Sequence, residues 1–283
     1  MAPTDEDLHD AVIQAGAARL WVLEAGRARH PGAWVGPGAA VAEWLWSPIN
    51  VCVIEVGADV LLVDSGLGLL GAWWPFAGCW CDLDGALRRA GLGRERVTMV
   101  VLTHLDFDHV GGVVGGAWPG ELVPAFPGIP VVAALEAVEA AQADDPDAEL
   151  NAATHVCRAL DTAGVLRTFS GTTELAPGVV VAPAPGHRPG HSVVRLEGGI
   201  APVVFAADVL HHVLHAEHPE WDHLGDLDPV AALATRRSFL ASVADSGTPV
   251  FFAHIDAKPA REVVARAEAW ELAPLRRDAR DQP

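Results

Sequence analysis

The stretch that most limits how this chain can fold is Thr103-His104-Leu105-Asp106-Phe107-Asp108-His109-Val110-Gly111-Gly112. Four side chains of metal-ligating type, His104, Asp106, Asp108 and His109, fall directly behind the apolar run Val97-Thr98-Met99-Val100-Val101-Leu102. That run is short, apolar and rich in β-branched residues, which predicts a buried strand. Charged side chains seldom crowd the end of such a strand without a partner, because desolvating them unpaired is costly. A strand that delivers His, Asp, Asp and His to its C-terminal end reads as a scaffold for metal ions. Gly111-Gly112 let the chain turn tightly and are expected to bring backbone close to whatever the ligands hold.

Four further strand ends carry the same kinds of side chain. Ile49–Val56, a Gly57-Ala58-Asp59 turn and Val60–Asp64 predict a β-hairpin that ends in Asp64-Ser65-Gly66-Leu67-Gly68. The strand around Val179–Ala182 leads into Pro185-Gly186-His187-Arg188-Pro189-Gly190-His191. Val203–Ala207 ends in Asp208, and an apolar strand ending in a lone carboxylate needs a partner for that charge. Val250-Phe251-Phe252-Ala253 ends in His254.

Taken together, these segments resemble the metallo-β-lactamase-fold hydrolases, over roughly Ile49 to His254. The first motif follows their HxHxDH signature with one departure, Asp106 in place of the second histidine. Asp64-Ser65-Gly66 is similar to their D-[TS]-G segment, and the His187 element to their PGHTPGH. The resemblance implies an α/β chain with an αββα sandwich of two similar halves, here a single domain over residues 1–283. It also implies two divalent ions, one held by His104, Asp106 and His187 and the other by Asp108, His109 and His254, with Asp208 bridging. Asp64 would support the site from behind, and His191 would take the position of a non-ligand histidine. In such a centre the ions share a hydroxide of near-neutral pKa and polarise a carbonyl or phosphoryl oxygen. Zinc is the family's usual metal. Asp106 makes the first site harder and more anionic, which moves the preference towards manganese or iron.

The branches most similar are the lactonases and esterases, which implies a metal-dependent hydrolase of a small, partly apolar lactone or ester. Asp108 would also take the proton to the leaving group. Acyl-homoserine lactonases carry a tyrosine three residues after the bridging aspartate; this chain has no tyrosine, and His211 stands at that offset. His211 is therefore expected to meet the substrate as a hydrogen-bond or proton donor, whereas His212, His215, His218 and His223 read as a solvated run. A phosphodiesterase or thioesterase on the same metals, or a mononuclear iron dioxygenase of the same fold, are the alternatives.

The net charge of −18 argues against a nucleic-acid partner. Cys52, Cys79, Cys81 and Cys157 have no disulfide-framework spacing and read as buried free thiols, which fits a reducing, cytoplasmic setting. Met1–Asp10 is acidic and lacks the basic-then-apolar order of a signal peptide, and no apolar run approaches the roughly 20 residues needed to span a bilayer. Residues 1–10 and 275–283 are expected to fray. Gly32–Ser47 reads as a long loop, Leu20–Leu23 as the opening strand, and Asp82–Ala90 as a capped helix. Residues 121–171 read as mostly helical with one strand, Ile129–Ala133, with His155 a surface or satisfied histidine. Asp228-Pro229 reads as the start of a helix to about Val243. The loop bearing Trp73, Trp74, Phe76 and Trp80 would wall an apolar pocket or cover the core, and the Trp-rich loops leave room for a homodimer.

Overall fold

The computed structural model describes residues 8–36, 41–73, 78–118, 120–143, 151–199, 202–258 and 260–276. In chain order the elements are β1 (Ala11–Ala15), β2 (Ala18–Pro31), β3 (Trp44–Val56), β4 (Asp59–Val63), β5 (Cys79–Cys81), α1 (Leu83–Arg89), β6 (Met99–Val101) and α2 (Phe107–Val110). There follow β7 (Val114–Ala117), β8 (Glu121–Pro124), β9 (Val131–Ala134), α3 (Leu135–Gln142), α4 (Ala152–Thr162), β10 (Leu166–Phe169), β11 (Thr173–Ala176) and β12 (Val179–Pro183). The last are β13 (Ser192–Leu196), β14 (Val203–Phe205), α5 (Leu214–Glu217), α6 (Pro229–Val243), β15 (Val250–Phe251), β16 (Arg261–Ala265) and β17 (Trp270–Pro274).

Two large sheets form. The first runs β1-β2-β3-β4-β6-β9-β10, with β5 also pairing β2; the second runs β11-β12-β13-β14-β15-β16-β17. Each starts antiparallel; the first turns parallel from β4–β6 onward, and the second has one parallel pair, β14–β15, before returning to antiparallel. The main core lies between them: Leu20, Val53 and Leu62 of the first sheet share one apolar cluster with Val181, Val194 and Phe205 of the second. α1 packs on β2, α3 on β9 and β10, α4 on β8 and β10, and α6 on β16. The strands nearest the middle are therefore covered on both faces, which explains why β4 and β9 are apolar without alternation. This is the metallo-β-lactamase fold in its αββα arrangement.

The hairpin falls as its sequence predicts, with Val56 paired to Asp59 across the turn. Asp82 caps α1 by accepting from the Gly85 N–H at 2.8 Å, and Asp228 caps α6 by accepting from the Ala231 N–H at 3.0 Å.

Several local expectations are corrected. The first sheet opens with β1 rather than at Leu20. Residues 44–47 are the start of β3, not loop, because β2 runs on to Pro31 and pairs there with Trp44. Among the described residues between 121 and 171 there are three strands rather than one; β8 and β10 are short, and propensity alone does not separate them from the helices beside them. Asp10 does not fray, since Arg89 holds it by a 2.6 Å ion pair; residues 277–283 lie outside the described set. Cys52 and Cys157 are buried thiols, while Cys79 and Cys81 are half-buried, and all are free. Gly111 and Gly112 do not approach the site. A Cβ on Gly111 would lie 1.7 Å from the Leu67 carbonyl oxygen and one on Gly112 would lie 2.2 Å from that of Ser65. The pair lets two loops close on each other, laced by Gly111 N–H to Gly66 O at 2.9 Å. No helix among the described residues is long and apolar enough to cross a membrane.

The two sheets are also tied by one buried polar side chain. Asn50 Nδ2 donates to Phe252 O at 2.9 Å and to Ile255 O at 2.8 Å, the two carbonyls that bracket His254. Asn50→Ala leaves both carbonyls unpaired in the interior, and we expect it to cost roughly 2–4 kcal/mol, read as a lower midpoint in urea unfolding.

Candidate metal centre

The side chains singled out from the sequence come from four strand ends along one edge of the sandwich. His104, Asp106, Asp108 and His109 follow β6, His187 follows β12, Asp208 follows β14, and His254 follows β15. Asp208 lies at the middle. Its Oδ2 is 3.7 Å from His104 Nε2, 3.5 Å from His109 Nε2, 3.3 Å from His187 Nε2 and 3.3 Å from His254 Nε2. These distances exceed those of strong charge-assisted hydrogen bonds. Asp106 Oδ2 stands 3.8 Å from His104 Nε2 and 3.5 Å from His187 Nε2, and Asp108 Oδ2 stands 3.5 Å from His254 Nε2. The structure thus gathers all seven expected metal positions, and two of the possible ligand sets are His104, His187, Asp208 and Asp108, His109, His254.

Each imidazole is aimed by a contact at its other nitrogen. His109 Nδ1 meets Asp64 Oδ2 at 2.8 Å, and His187 Nδ1 meets Asp226 Oδ1 at 2.9 Å. His254 Nδ1 meets Pro48 O at 3.1 Å, and His104 Nδ1 meets Thr103 Oγ1 at 3.1 Å. With Nδ1–H donating outward, the Nε2 lone pair points to the middle, the tautomer that a metal ion needs. Nothing among the described residues answers it: Nε2 of His104, His109 and His187 and Oδ1 of Asp208 are buried without a hydrogen-bond partner there. Four aimed imidazoles, three carboxylates and several orphaned atoms are the donor set of a divalent-metal site, so the residues fit such ions.

Asp64 is the support expected from the sequence. Its carboxylate also accepts from the Thr103 N–H and the Thr103 hydroxyl, both at 2.8 Å. It holds φ at +60°, a strained value for a residue other than glycine that persists because these contacts over-determine it. His191 is consumed structurally: Nδ1 meets Ala184 O at 2.7 Å and Nε2 accepts from the Asp208 N–H at 3.2 Å.

The carboxylates make the centre a cation-holding field. Burial pulls the imidazoles of His109, His187 and His254 down, yet neighbouring carboxylates, Asp208 in each case, outweigh it and leave all three raised. Burial pushes the Asp106 carboxyl up, but His187 and Arg188 outweigh it and bring it to about 2. Asp108 stays raised, mainly through burial.

Four residues around the site were not legible in the sequence. Asp226, which aims His187, is itself held by Arg236 Nη2 at 3.1 Å, and Arg236 is 2% exposed inside α6. Asp226 sits in a run with Asp222 and Asp228 that looks like loop and cap chemistry, so no signal marks it. Arg188 donates from Nε to Asp106 Oδ1 at 2.6 Å. His223 stacks on His211, with ring centroids 3.6 Å apart and planes 5° from parallel. His223 and His215 are thus not solvated: both are buried, and His215 Nε2 is spent on Val35 O at 2.5 Å. His211 Nε2 faces Asp208 Oδ2 at 3.1 Å, and burial lowers its imidazole to about 4, so it is a neutral hydrogen-bonding group and not an acid at neutral pH. His155 is half-buried with its ring edge-on to Trp118, as expected of a satisfied histidine.

A cavity of about 340 Å³ opens over the centre, lined by Asp106, Asp108, His187, Asp208, His211 and His254 on its floor. Its apolar wall is Trp34, Val35, Ile49, Phe107 and Leu224. Trp80 lies in β5 and does not line it; Trp74 and Phe76 lie outside the described residues, as does the side chain of Trp73.

Two outcomes follow. Asp64→Asn keeps the shape and the left-handed backbone but removes one carboxylate acceptor, and should weaken metal binding by roughly 10–100-fold with the fold retained by circular dichroism. Because the carboxylates raise His109, His187 and His254, incoming ions compete with protons for these imidazoles. Calorimetric titration in buffers of different ionisation enthalpy should therefore show net proton release on metal binding, with apparent affinity climbing as pH rises from acid to neutral.

Comparison with known proteins agrees with this geometry. A probable metallo-hydrolase of Mycobacterium tuberculosis is 25% identical over 186 residues, which covers 58% of this chain and 57% of that protein. The chain thus spans little more than half the length of the curated relative it matches. Among solved structures, the dizinc quorum-quenching lactonase AidC, in complex with an N-acyl-homoserine product, superposes with a TM-score of 0.80 at 22% identity, over 94% of this chain and 97% of that one. The hydrolase AbOPH of the β-lactamase superfamily superposes with a TM-score of 0.78 at 20% identity, over 96% and 99%. The family model described as the metallo-beta-lactamase superfamily matches residues 44–254, which hold every strand end of the centre. With most of its length under that match, the chain belongs to the metallo-beta-lactamase superfamily.

Proposed function

We propose that the chain is a metal-dependent hydrolase with a binuclear centre, acting on a small, partly apolar lactone or ester. The observation that carries this reading is the position of Asp208 Oδ2, within 3.3–3.7 Å of four imidazole nitrogens contributed from both halves of the sandwich. Seven donors are more than one ion needs. In this reading His104, Asp106 and His187 would hold one ion, Asp108, His109 and His254 would hold the second, and Asp208 would serve both. When bound, the two ions lower the pKa of a water to near neutrality and polarise a carbonyl oxygen.

The residues do the rest. The wall of Trp34, Val35, Ile49, Phe107 and Leu224 takes the apolar part of the substrate and excludes water from the floor. His211 is on that floor, neutral and fixed between the Asp208 carboxylate and the His223 ring. Its Nε2–H, held on Asp208 Oδ2 here, would turn to the substrate carbonyl as a hydrogen-bond donor when ions engage Asp208. Asp108, buried and raised, takes up the proton that the leaving alcohol receives. Arg188 is the only arginine or lysine among the described lining residues, and its Nε is already paired to Asp106. A carbonyl substrate suits this wall better than a phosphodiester, whose charge calls for further cations. The likeness to AidC and to a second N-acyl-homoserine lactone hydrolase, superposed with a TM-score of 0.62, adds support for lactones.

The test is metal content by elemental mass spectrometry on protein purified without added metal, followed by turnover of lactones against bis-p-nitrophenyl phosphate. Two ions per chain and a preference for lactones are expected. A single iron would favour oxygenase chemistry, and a preference for the phosphodiester would move the substrate class. His211→Ala should lower kcat by about 10²–10³-fold with metal content unchanged; unaltered turnover would remove His211 from the mechanism.

A further inference from the structure

We propose that Arg188 is a positioning residue for the first metal site, which clamps and neutralises Asp106 so that this carboxylate stands in for a neutral histidine. The inference rests on the binuclear reading above. It comes from two departures from the family pattern that meet in space. Asp106 replaces the second histidine of the HxHxDH signature, and Arg188 occupies the threonine position of PGHTPGH. The two are 82 residues apart in the chain, yet Arg188 Nε donates to Asp106 Oδ1 at 2.6 Å.

The guanidinium has little freedom. Its Nη1 donates to His187 O at 3.0 Å and also to Gly225 O, so the fork is held on the backbone while Nε holds the carboxylate. The side chains of Arg188 and Asp106 are only 25% and 22% exposed. With Oδ1 taken by Arg188, Oδ2 is the oxygen left facing His104 Nε2 and His187 Nε2. Asp106 is thereby presented as a one-atom donor, as an imidazole would be.

Charge follows the same logic. Two neutral imidazoles with an Asp–Arg pair carry the same net charge as three neutral imidazoles. The site is harder, because a nitrogen donor has become an oxygen, but the pair does not make it more anionic; that part of the sequence-based expectation is corrected. A histidine at position 106 with Arg188 still present would put an uncompensated cation beside the metal. Each replacement therefore makes sense only with the other, and the effects of the two positions should be coupled.

The experiment is a double-mutant cycle on the full chain with D106H, R188T and D106H/R188T. Stepwise affinities for zinc and manganese are measured by chelator competition, with metal per chain by elemental mass spectrometry. R188T should weaken the first site by roughly tenfold or more in the parent, and should strengthen it in the D106H background. The double variant should also favour zinc over manganese more than the parent does. Circular dichroism and unfolding midpoints in chelator check the fold, and Arg188→Met, which keeps the aliphatic stem, replaces R188T if the latter does not fold. An equal fold-change from R188T in both backgrounds would overturn the pairing while leaving the metal centre intact. A parent chain that binds no metal would instead overturn the binuclear reading itself.

Discussion

Much of this structure is arranged around keeping one carboxylate, Asp208, buried among imidazoles. A carboxylate at 4% exposure with an oxygen that no protein donor satisfies would be a heavy penalty in an ordinary core. Here the surrounding histidines bring its pKa well down against the effect of burial, and they in turn are aimed by Asp64, Asp226, Thr103 and the Pro48 carbonyl. Remove any of those outer contacts and an imidazole is free to turn its nitrogen away from the middle. The centre is thus a two-layer device, with the inner donors unsatisfied by the protein because the outer layer has fixed their tautomers.

That requirement explains features of the fold that packing alone does not. The strained backbone at Asp64, the close approach of Gly111 to the Leu67 carbonyl, and the burial of Arg236 against Asp226 all serve to place a second-layer group. The sandwich supplies the frame: in each sheet the switch from antiparallel to parallel pairing brings neighbouring C-terminal strand ends to the same edge. Asn50 then ties the β15 end to the first sheet across the core, so that His254 sits opposite His109 at a ring separation of 5.6 Å.

The cavity above the centre is asymmetric in a useful way. One wall is aromatic and aliphatic, while the floor is titratable and holds the stacked pair of His211 and His223. Stacking fixes the plane of His211 without using its nitrogens, so that Nε2 is held towards Asp208 on the cavity floor. An apolar wall over a polar floor orients a molecule that has both characters, and supports the preference for small esters and lactones.

The strands that carry the site and the inner donors were legible in the sequence because each depends on local order, whereas the two sheets followed from the family resemblance. β-branched runs make buried strands, a polar residue at the end of such a run is placed by the strand itself, and Asp82 and Asp228 cap helices through bonds within three residues. What only the tertiary structure decided are the pairings between distant segments. Asp226 looks like a loop acid until α6 brings Arg236 beneath it, and His223 and His215 look solvated until the chain folds back over the site. Trp34 lines the cavity where Trp80 does not, because the length of β2 carries that turn over the centre. Arg188 belongs with Asp106 for the same reason. A single sequence records which residue types are present and their local periodicity, but charge pairing between segments is fixed by three-dimensional distance, and that is set by the closing of the sandwich.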